Sequence, residues 1–342
     1  MFLGMAAAFY TLPFAFEYFN PTEKKKPNAI LPAGCCAPTG RPVGMDITRA
    51  PHATPRERRD AAEEFDRGQN FPEWLMGITA VRKTLGVEAE GDVLELAVGT
   101  GRNLGFYVWE GVLKEGGEGM RSYTGVDISG DMVGVARDRL RDAVPGLAKV
   151  MRRRRAEGMP EEGLAVEVCN GKVRLFVGDA EGELPAPPGV EGDAEGRYDT
   201  VIQTFGLCSV AEPKRLLENA ARAVKPDTGR IILVEHGRGT WEWFNEWFVD
   251  RSAQGHFDTY GCWWNRDIEA AVREAEKTVP GLEVVALKRP GLLQFGTLFL
   301  IELRVNSKKI PGGRVTGEKA GKPQAAKGSE EPKRSNWWFG SQ

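Results

Sequence analysis

The sequence predicts an α/β domain built on a doubly wound, mostly parallel sheet, and three observations carry that reading. Short apolar runs alternate with helical segments from about residue 93 onward. A glycine-bearing turn, Ala97-Val98-Gly99-Thr100-Gly101-Arg102-Asn103, follows the first run. A second run, 123–126, ends in a carboxylate, Asp127. Strands that alternate with helices pair in parallel through right-handed crossovers. A glycine turn after the first strand lets a ligand lie against the backbone, and the amides that follow face it.

Taken in order, the chain opens with an uncharged stretch over 2–16, followed by Lys24-Lys25-Lys26. Fifteen residues are short for a span, which needs about 20, and Pro13 and Glu17 count against a simple one. A signal peptide fits worse, because no basic segment precedes the apolar one. Residues 20–54, rich in Pro, Gly and Ala, read as a linker. Helices are expected from Pro55 to about Gly86: an exposed charged one over 56–66, then an amphipathic one over 71–85 with Leu75, Met76, Ile78, Val81 and Leu85 apolar.

Strands are expected at 93–96, 123–126, 173–177, 200–203 and 231–234, with a final pair at 282–287 and 297–305. Leu216, Leu217, Ala220, Ala221 and Val224 mark one intervening helix. The chain is longer than the fold requires over about 142–171. Arg152–Arg155 there read as a solvated helix face, and Asn170-Gly171 between alternating runs signals a hairpin. The tail, 306–342, is poor in branched apolar residues and is expected to be disordered, with Trp337-Trp338-Phe339 as an isolated aromatic cluster.

A net charge of -2 gives no global case for nucleic-acid binding. The five cysteines, at 35, 36, 169, 208 and 262, form no C-x-x-C pair, so their spacing suggests neither a metal nor a disulfide framework. Free thiols are the simpler reading.

The motif series is more specific than any one turn. Glu95-x-Ala97-x-Gly99-Thr100-Gly101, Val126-Asp127, Gly178-Asp179-Ala180, Tyr198–Thr204 and Ala223–His236 occur in the order seen in class I S-adenosylmethionine-dependent methyltransferases, which the chain resembles over roughly 72–305. Ala97 stands where most of that superfamily has glycine. Leu207-Cys208-Ser209-Val210, Glu235-His236-Gly237 and Gly261–Asp267 resemble membrane-anchored thiol methyltransferases and fungal mitochondrial inner-membrane proteins that suppress cytochrome oxidase assembly defects. The resemblance implies a Rossmann-like, seven-stranded sheet over 55–305 with an antiparallel strand at one edge and the N-terminal helices as a lid. It also implies a membrane anchor in residues 1–19 and a mitochondrial, inner-membrane location.

For cofactor binding, the resemblance assigns Glu95, Ala97, Gly99, Gly101 and Asn103 to the methionine side of S-adenosylmethionine. Asp127 is assigned to the ribose, and Ile128, Met132, Asp179 and Ala180 to the adenine. Gln203 and Thr204, ending the fourth strand, belong to the crevice where open α/β sheets bind ligands. Methyl transfer from a sulfonium needs alignment and water exclusion more than a catalytic triad, and none appears. No Asn-Pro-Pro-Tyr or Asp-Pro-Pro-Tyr follows the fourth strand, which weighs against amide or exocyclic amine acceptors. The aromatics after the fifth strand suit a small, lipophilic thiol, phenol or quinol-like acceptor, with Cys208, Trp243 and Phe248 beside it and His236 as the group taking its proton. The alternative is a cofactor-binding mitochondrial assembly or RNA-stabilising factor.

Overall fold

The computed structural model describes residues 55–311, apart from 115–116, 118, 150–165, 190–195 and 291–293. The leader 1–19, the linker 20–54, Arg152–Arg155 and the tail beyond 311 lie outside the described residues.

Among the described residues, strands β1 Gly91–Leu96, β2 Met120–Asp127, β3 Val166–Val168, β4 Val173–Val177, β5 Thr200–Thr204, β6 Arg230–His236, β7 Leu282–Lys288 and β8 Leu298–Val305 form one sheet. Their order across it is β3-β4-β2-β1-β5-β6-β8-β7. Strands β4, β2, β1, β5 and β6 run parallel, each from an apolar run of the sequence. The sheet has eight strands, not seven. The extra one, β3, pairs antiparallel with β4 through the hairpin that Asn170-Gly171 predicts, its Val166 and Val168 buried and Glu167 exposed. Strand β8 is antiparallel to both β6 and β7 and lies between them, so the antiparallel strand on that side is one in from the edge.

The N-terminal cover is α1 Pro55–Gly68, α2 Asn70–Leu75 and α3 Ile78–Glu88. The expected single helix over 71–85 is broken at Gly77, whose φ of +72° glycine adopts without steric cost. A short α4, Glu110–Leu113, precedes β2, and α5, Gly130–Ala143, follows it. The charged helix α1 is not simply solvated. Its Ala62 is fully buried, and Arg58 and Arg59 pair with Asp131 and Asp138 of α5.

After β5 comes α6, Pro213–Ala223. After β6, α7 Glu242–Phe244 runs through a π-helical turn, Asn245–Val249, into α8, Asp250–Tyr260. Helix α9, Ile268–Thr278, is capped by Asp267, which accepts the Ala270 N–H. One sheet face buries Val93, Tyr123, Ile202 and Ile232 with α3 and α5. The other buries Leu94, Val201 and Leu233 with α6 and α9. Leu216 and Leu217 of α6 are wholly buried, each contributing about 1.5–3 kcal/mol. The chain leaves β1 toward β2 and returns on its other side as β5. A crevice therefore opens between the carboxyl ends of β1 and β5, where such sheets bind ligands.

Candidate functional site

A cavity of about 680 Å³ occupies that crevice. Its floor is the turn after β1. Ala97, at φ +52°, and Gly99, at φ +55°, both line it. A Cβ built on Gly99 would meet nothing within 4 Å, so this glycine keeps the floor open. Gly101 acts differently: it is not in the cavity wall, and a Cβ there would lie 2.4 Å from Leu104 Cδ1 and 3.1 Å from the Ala136 Cα. One glycine makes room for a ligand, the other for helix α5.

Asp127 ends β2 at the cavity wall. Its Oδ2 accepts the Gly99 N–H at 2.7 Å and its Oδ1 the Ser129 N–H at 2.9 Å. Enclosure raises its pKa above the ordinary carboxylate value despite those two bonds. A carboxylate has about four lone-pair sites, so two remain for a ligand's hydroxyls. Ile128, Met132, Asp179 and Ala180 also line the cavity. Thr204 lines it too, with its hydroxyl accepting from Arg82 Nη1 and Asn103 Nδ2, both at 3.3 Å.

Glu95, Asn103 and Gln203 are not in the wall. Glu95 is buried under the turn and accepts hydrogen bonds from Asn103 Nδ2, Tyr107 and Tyr123 at 2.8, 2.9 and 2.6 Å. Burial raises its pKa. It supports the turn from behind, and Asn103 links it to Arg82 Nη1 at 2.7 Å. Gln203 is fully buried beside Gly206, where a Cβ would come within 1.9 Å of its Nε2.

The N-terminal helices are clamped onto the turn by charges that sequence reasoning missed. Buried Glu73 on α2 takes a two-pronged contact from Arg82, at 2.8 and 3.0 Å, and a second from Arg102, at 2.9 and 3.0 Å. Arg102 also reaches Asp66 Oδ1 at 2.8 Å, and Asp66 accepts from Thr100 at 2.6 Å and from Arg139. Burial alone would raise the Asp66 and Glu73 pKa values, yet these partners hold both below the ordinary value. The clamp ties the N-terminal helices to the glycine turn after β1.

The other end of the cavity is aromatic and sulfur-bearing. Phe65, Tyr260 and Trp264 line it with His236, His256 and Cys262, and Phe71 lines the cavity from α2. Trp243 and Phe248 do not. Trp243 is 64% exposed beside Trp241, and Phe248 packs edge-on against Trp264. Cys208 is fully buried beneath the wall.

His236 Nε2 lies 3.1 Å from Cys208 Sγ and 3.0 Å from Cys262 Sγ. Although burial raises the Cys208 pKa, hydrogen bonding with Cys262 and the charge of His236 bring it well below the ordinary thiol value. Burial and the neighbouring Cys208 push Cys262 well above it. His256 Nδ1 sits 3.3 Å from Cys262 Sγ, and burial lowers its pKa to about 3. The convergence of Cys208, His236 and Cys262 is invisible to a test of cysteine spacing, because the three come from separate segments. The sequence signals were the shared location of His236 and Cys208 at adjacent strand ends and the shared resemblance of the three segments that carry Cys208, His236 and Cys262.

A family model described as Methyltransferase domain matches residues 67–278. The yeast (Saccharomyces cerevisiae) protein Methyltransferase OMS1, mitochondrial, is 32% identical over 236 residues, covering 68% of this chain and 43% of that protein. The chain thus spans less than half the length of that relative. Among solved structures, the Haloferax volcanii complex of the Trm112 methyltransferase activator with a methyltransferase matches at 19% identity and TM-score 0.45, covering 72% of this chain and 96% of that one. Magnesium protoporphyrin IX methyltransferase from Synechocystis with bound SAH matches at 16% identity and TM-score 0.38, covering 67% and 80%.

Proposed function

The chain belongs to the methyltransferase domain family, and on that premise we propose that its cavity binds S-adenosylmethionine and directs the methyl group to a small, lipophilic thiol, phenol or quinol-like acceptor. The observation that carries this reading is Asp127. Its carboxylate is fixed by two backbone N–H groups, lines the cavity beside an open glycine floor, and keeps lone pairs for a diol. Ala97 and Gly99 would hold the methionine side, and Ile128, Met132, Asp179 and Ala180 the adenine. S-Adenosylmethionine supplies a methyl already activated on a sulfonium.

What the chain adds is placement and dryness. The Glu73 clamp holds the lid against the turn, and Phe65, Phe71, Tyr260 and Trp264 offer stacking area to a flat or greasy acceptor. The acceptor's reactive atom belongs beside His236, the one polar side chain of the sequence-predicted acceptor set that reaches the cavity. A mitochondrial location is supported by the yeast relative. Among the described residues no helix is long and apolar enough to cross a membrane, so an anchor rests on residues 1–19.

Calorimetry of the full chain with S-adenosylmethionine is the test. Micromolar binding is expected, with Asp127→Ala weakening it by about 1.5–3 kcal/mol, the range for losing a bond to a charged group. Absence of binding to the unaltered chain overturns the proposal. Binding without transfer to any member of a thiol, phenol and quinol panel moves the function to a cofactor-dependent assembly factor.

A further inference from the structure

Three segments distant in sequence bring Cys208, His236 and Cys262 together, with their sulfur and Nε2 atoms all within 4.8 Å of one another. Two thiols converge on Nε2, which as a neutral imidazole acceptor has a single lone pair, so only one S–H can donate to it while the other turns to the Phe205 carbonyl, 3.5 Å from Cys208 Sγ, or to His256 Nδ1, 3.3 Å from Cys262 Sγ. A cation would accept electron pairs from all three atoms at once.

The surroundings hold these atoms in place independently of any ligand. The Trp263 N–H donates to the Cys208 carbonyl at 3.0 Å, tying the two cysteine segments together. Arg266 Nη1 donates to the Val210 carbonyl at 2.8 Å and pins the Cys208 loop. Cys262 Sγ is met by His256, whose ring stacks flat on Trp264 at 4.8 Å and 3°. Metal ligands are oriented by side chains in this way.

The atom types and count fit zinc. Thiolate and imidazole ligands sit about 2.3 and 2.0 Å from zinc in a tetrahedron, which sets sulfur–nitrogen separations of about 3.5 Å. The observed 3.0 and 3.1 Å need to open by only about 0.5 Å. His236 and Cys262 line the cavity while Cys208 lies beneath it, so the unfilled corner of the tetrahedron points into the crevice. Three protein ligands with one open position are the arrangement of a reactive zinc, where closed four-ligand sites are structural.

We propose that Cys208, His236 and Cys262 bind one zinc-type divalent cation whose fourth position takes the ionised sulfur or oxygen of the methyl acceptor. The acceptor half of this statement rests on the methyl-transfer reading above; the metal site does not. On coordinating, the acceptor's S–H or O–H gives its proton to solvent. Its lone pair then forms the new bond to the methyl carbon, while the carbon–sulfur bond of the sulfonium breaks and leaves its pair on the cofactor sulfur. The methylated product is neutral, a weaker donor, and departs.

The experiment is metal analysis of the full chain purified with a phosphine reductant, then reconstitution with cobalt(II). About one zinc per chain is expected. The cobalt form should show thiolate-to-cobalt charge-transfer absorption and the intense visible bands of a tetrahedral ion, which 2-mercaptoethanol should shift. Cys208→Ser and Cys262→Ser should each weaken metal binding more than the about 10–100-fold typical of losing a supporting residue, and His256→Ala by about that amount. Cys169→Ser should leave it unaltered. Substoichiometric metal with no charge-transfer band in the unaltered chain overturns the site, whether or not the serine variants fold. Bands that ignore the added thiol overturn the open fourth position. Asp127→Ala should weaken cofactor binding and keep the cobalt spectrum, which separates failure of the cofactor reading from failure of the metal site.

Discussion

The two ends of the cavity are built from opposite chemistry. At the glycine-turn end, Asp66 and Glu73 meet Arg82, Arg102 and Arg139 in a buried ionic clamp. At the His236 end, aromatic rings stack around two thiols and two imidazoles. The difference separates what must be fixed from what must be permissive. A charge network has few satisfactory arrangements, which suits a floor and lid holding one ligand. Apolar stacking is less directional and tolerates ligands of several shapes.

Breaking the clamp should give the largest effect. Glu73→Ala strands Arg82 in a buried site, and removing one partner of such a pair costs about 3–5 kcal/mol. Urea denaturation measures this; a loss below about 1 kcal/mol would show that packing, not charge, holds the lid. Acid probes the same feature. Asp66 and Glu73 have depressed pKa values in the folded state, so their contribution is complete above the ordinary carboxylate range and disappears as pH falls through the depressed values. Glu95 and Glu235 are raised, mainly by burial, so protonation relieves them instead. Below about pH 4 the lid should therefore loosen before the sheet, seen as faster amide exchange in 55–88 than in the strands. Simultaneous loss would contradict the division.

The paired glycines sharpen the contrast within one turn. Gly101→Ala incurs both left-handed backbone strain and a clash with Leu104 and Ala136, together about 2–5 kcal/mol of stability. Gly99→Ala incurs only the strain, about 1–2 kcal/mol, but its methyl enters the floor and should weaken cofactor binding. Melting curves and calorimetry on the two variants distinguish them; equal effects in both assays would refute the separate roles. The smallest effect is expected at the far end. Trp243→Ala removes an exposed ring outside the wall and should change stability by no more than about 0.5 kcal/mol, with acceptor preference kept. A changed preference would extend the acceptor site beyond the cavity described here.

The central strands β1, β2, β5 and β6 were legible because they are buried on both faces over most of their length and read as apolar runs, and the Asn170-Gly171 hairpin because its turn chemistry is local. What escaped was non-local. Arg82 lies 122 residues from Thr204, and Arg139 lies 73 from Asp66, so a charge pattern read at helical spacing showed only a solvated face. Gly77 broke a helix whose apolar positions continue in phase across it. Trp243 and Phe248 looked like acceptor contacts because sequence places them after β6, but which way a side chain on these helical turns points depends on tertiary packing: Trp243 is exposed and Phe248 packs on Trp264.

That π-helical turn, Asn245–Val249, works as a vernier. Each residue of an α-helix advances about 100°, and a π turn carries one residue more than the regular winding. With it, Phe244 upstream stacks on Phe295 at 4.6 Å, while Val249, Ala253 and His256 downstream still face Cys262 and Trp264. A chain shorter by one residue here would wind regularly and forfeit one of those two contacts. A single lost codon, substituting no side chain in the cavity, would re-aim either Phe244 or His256.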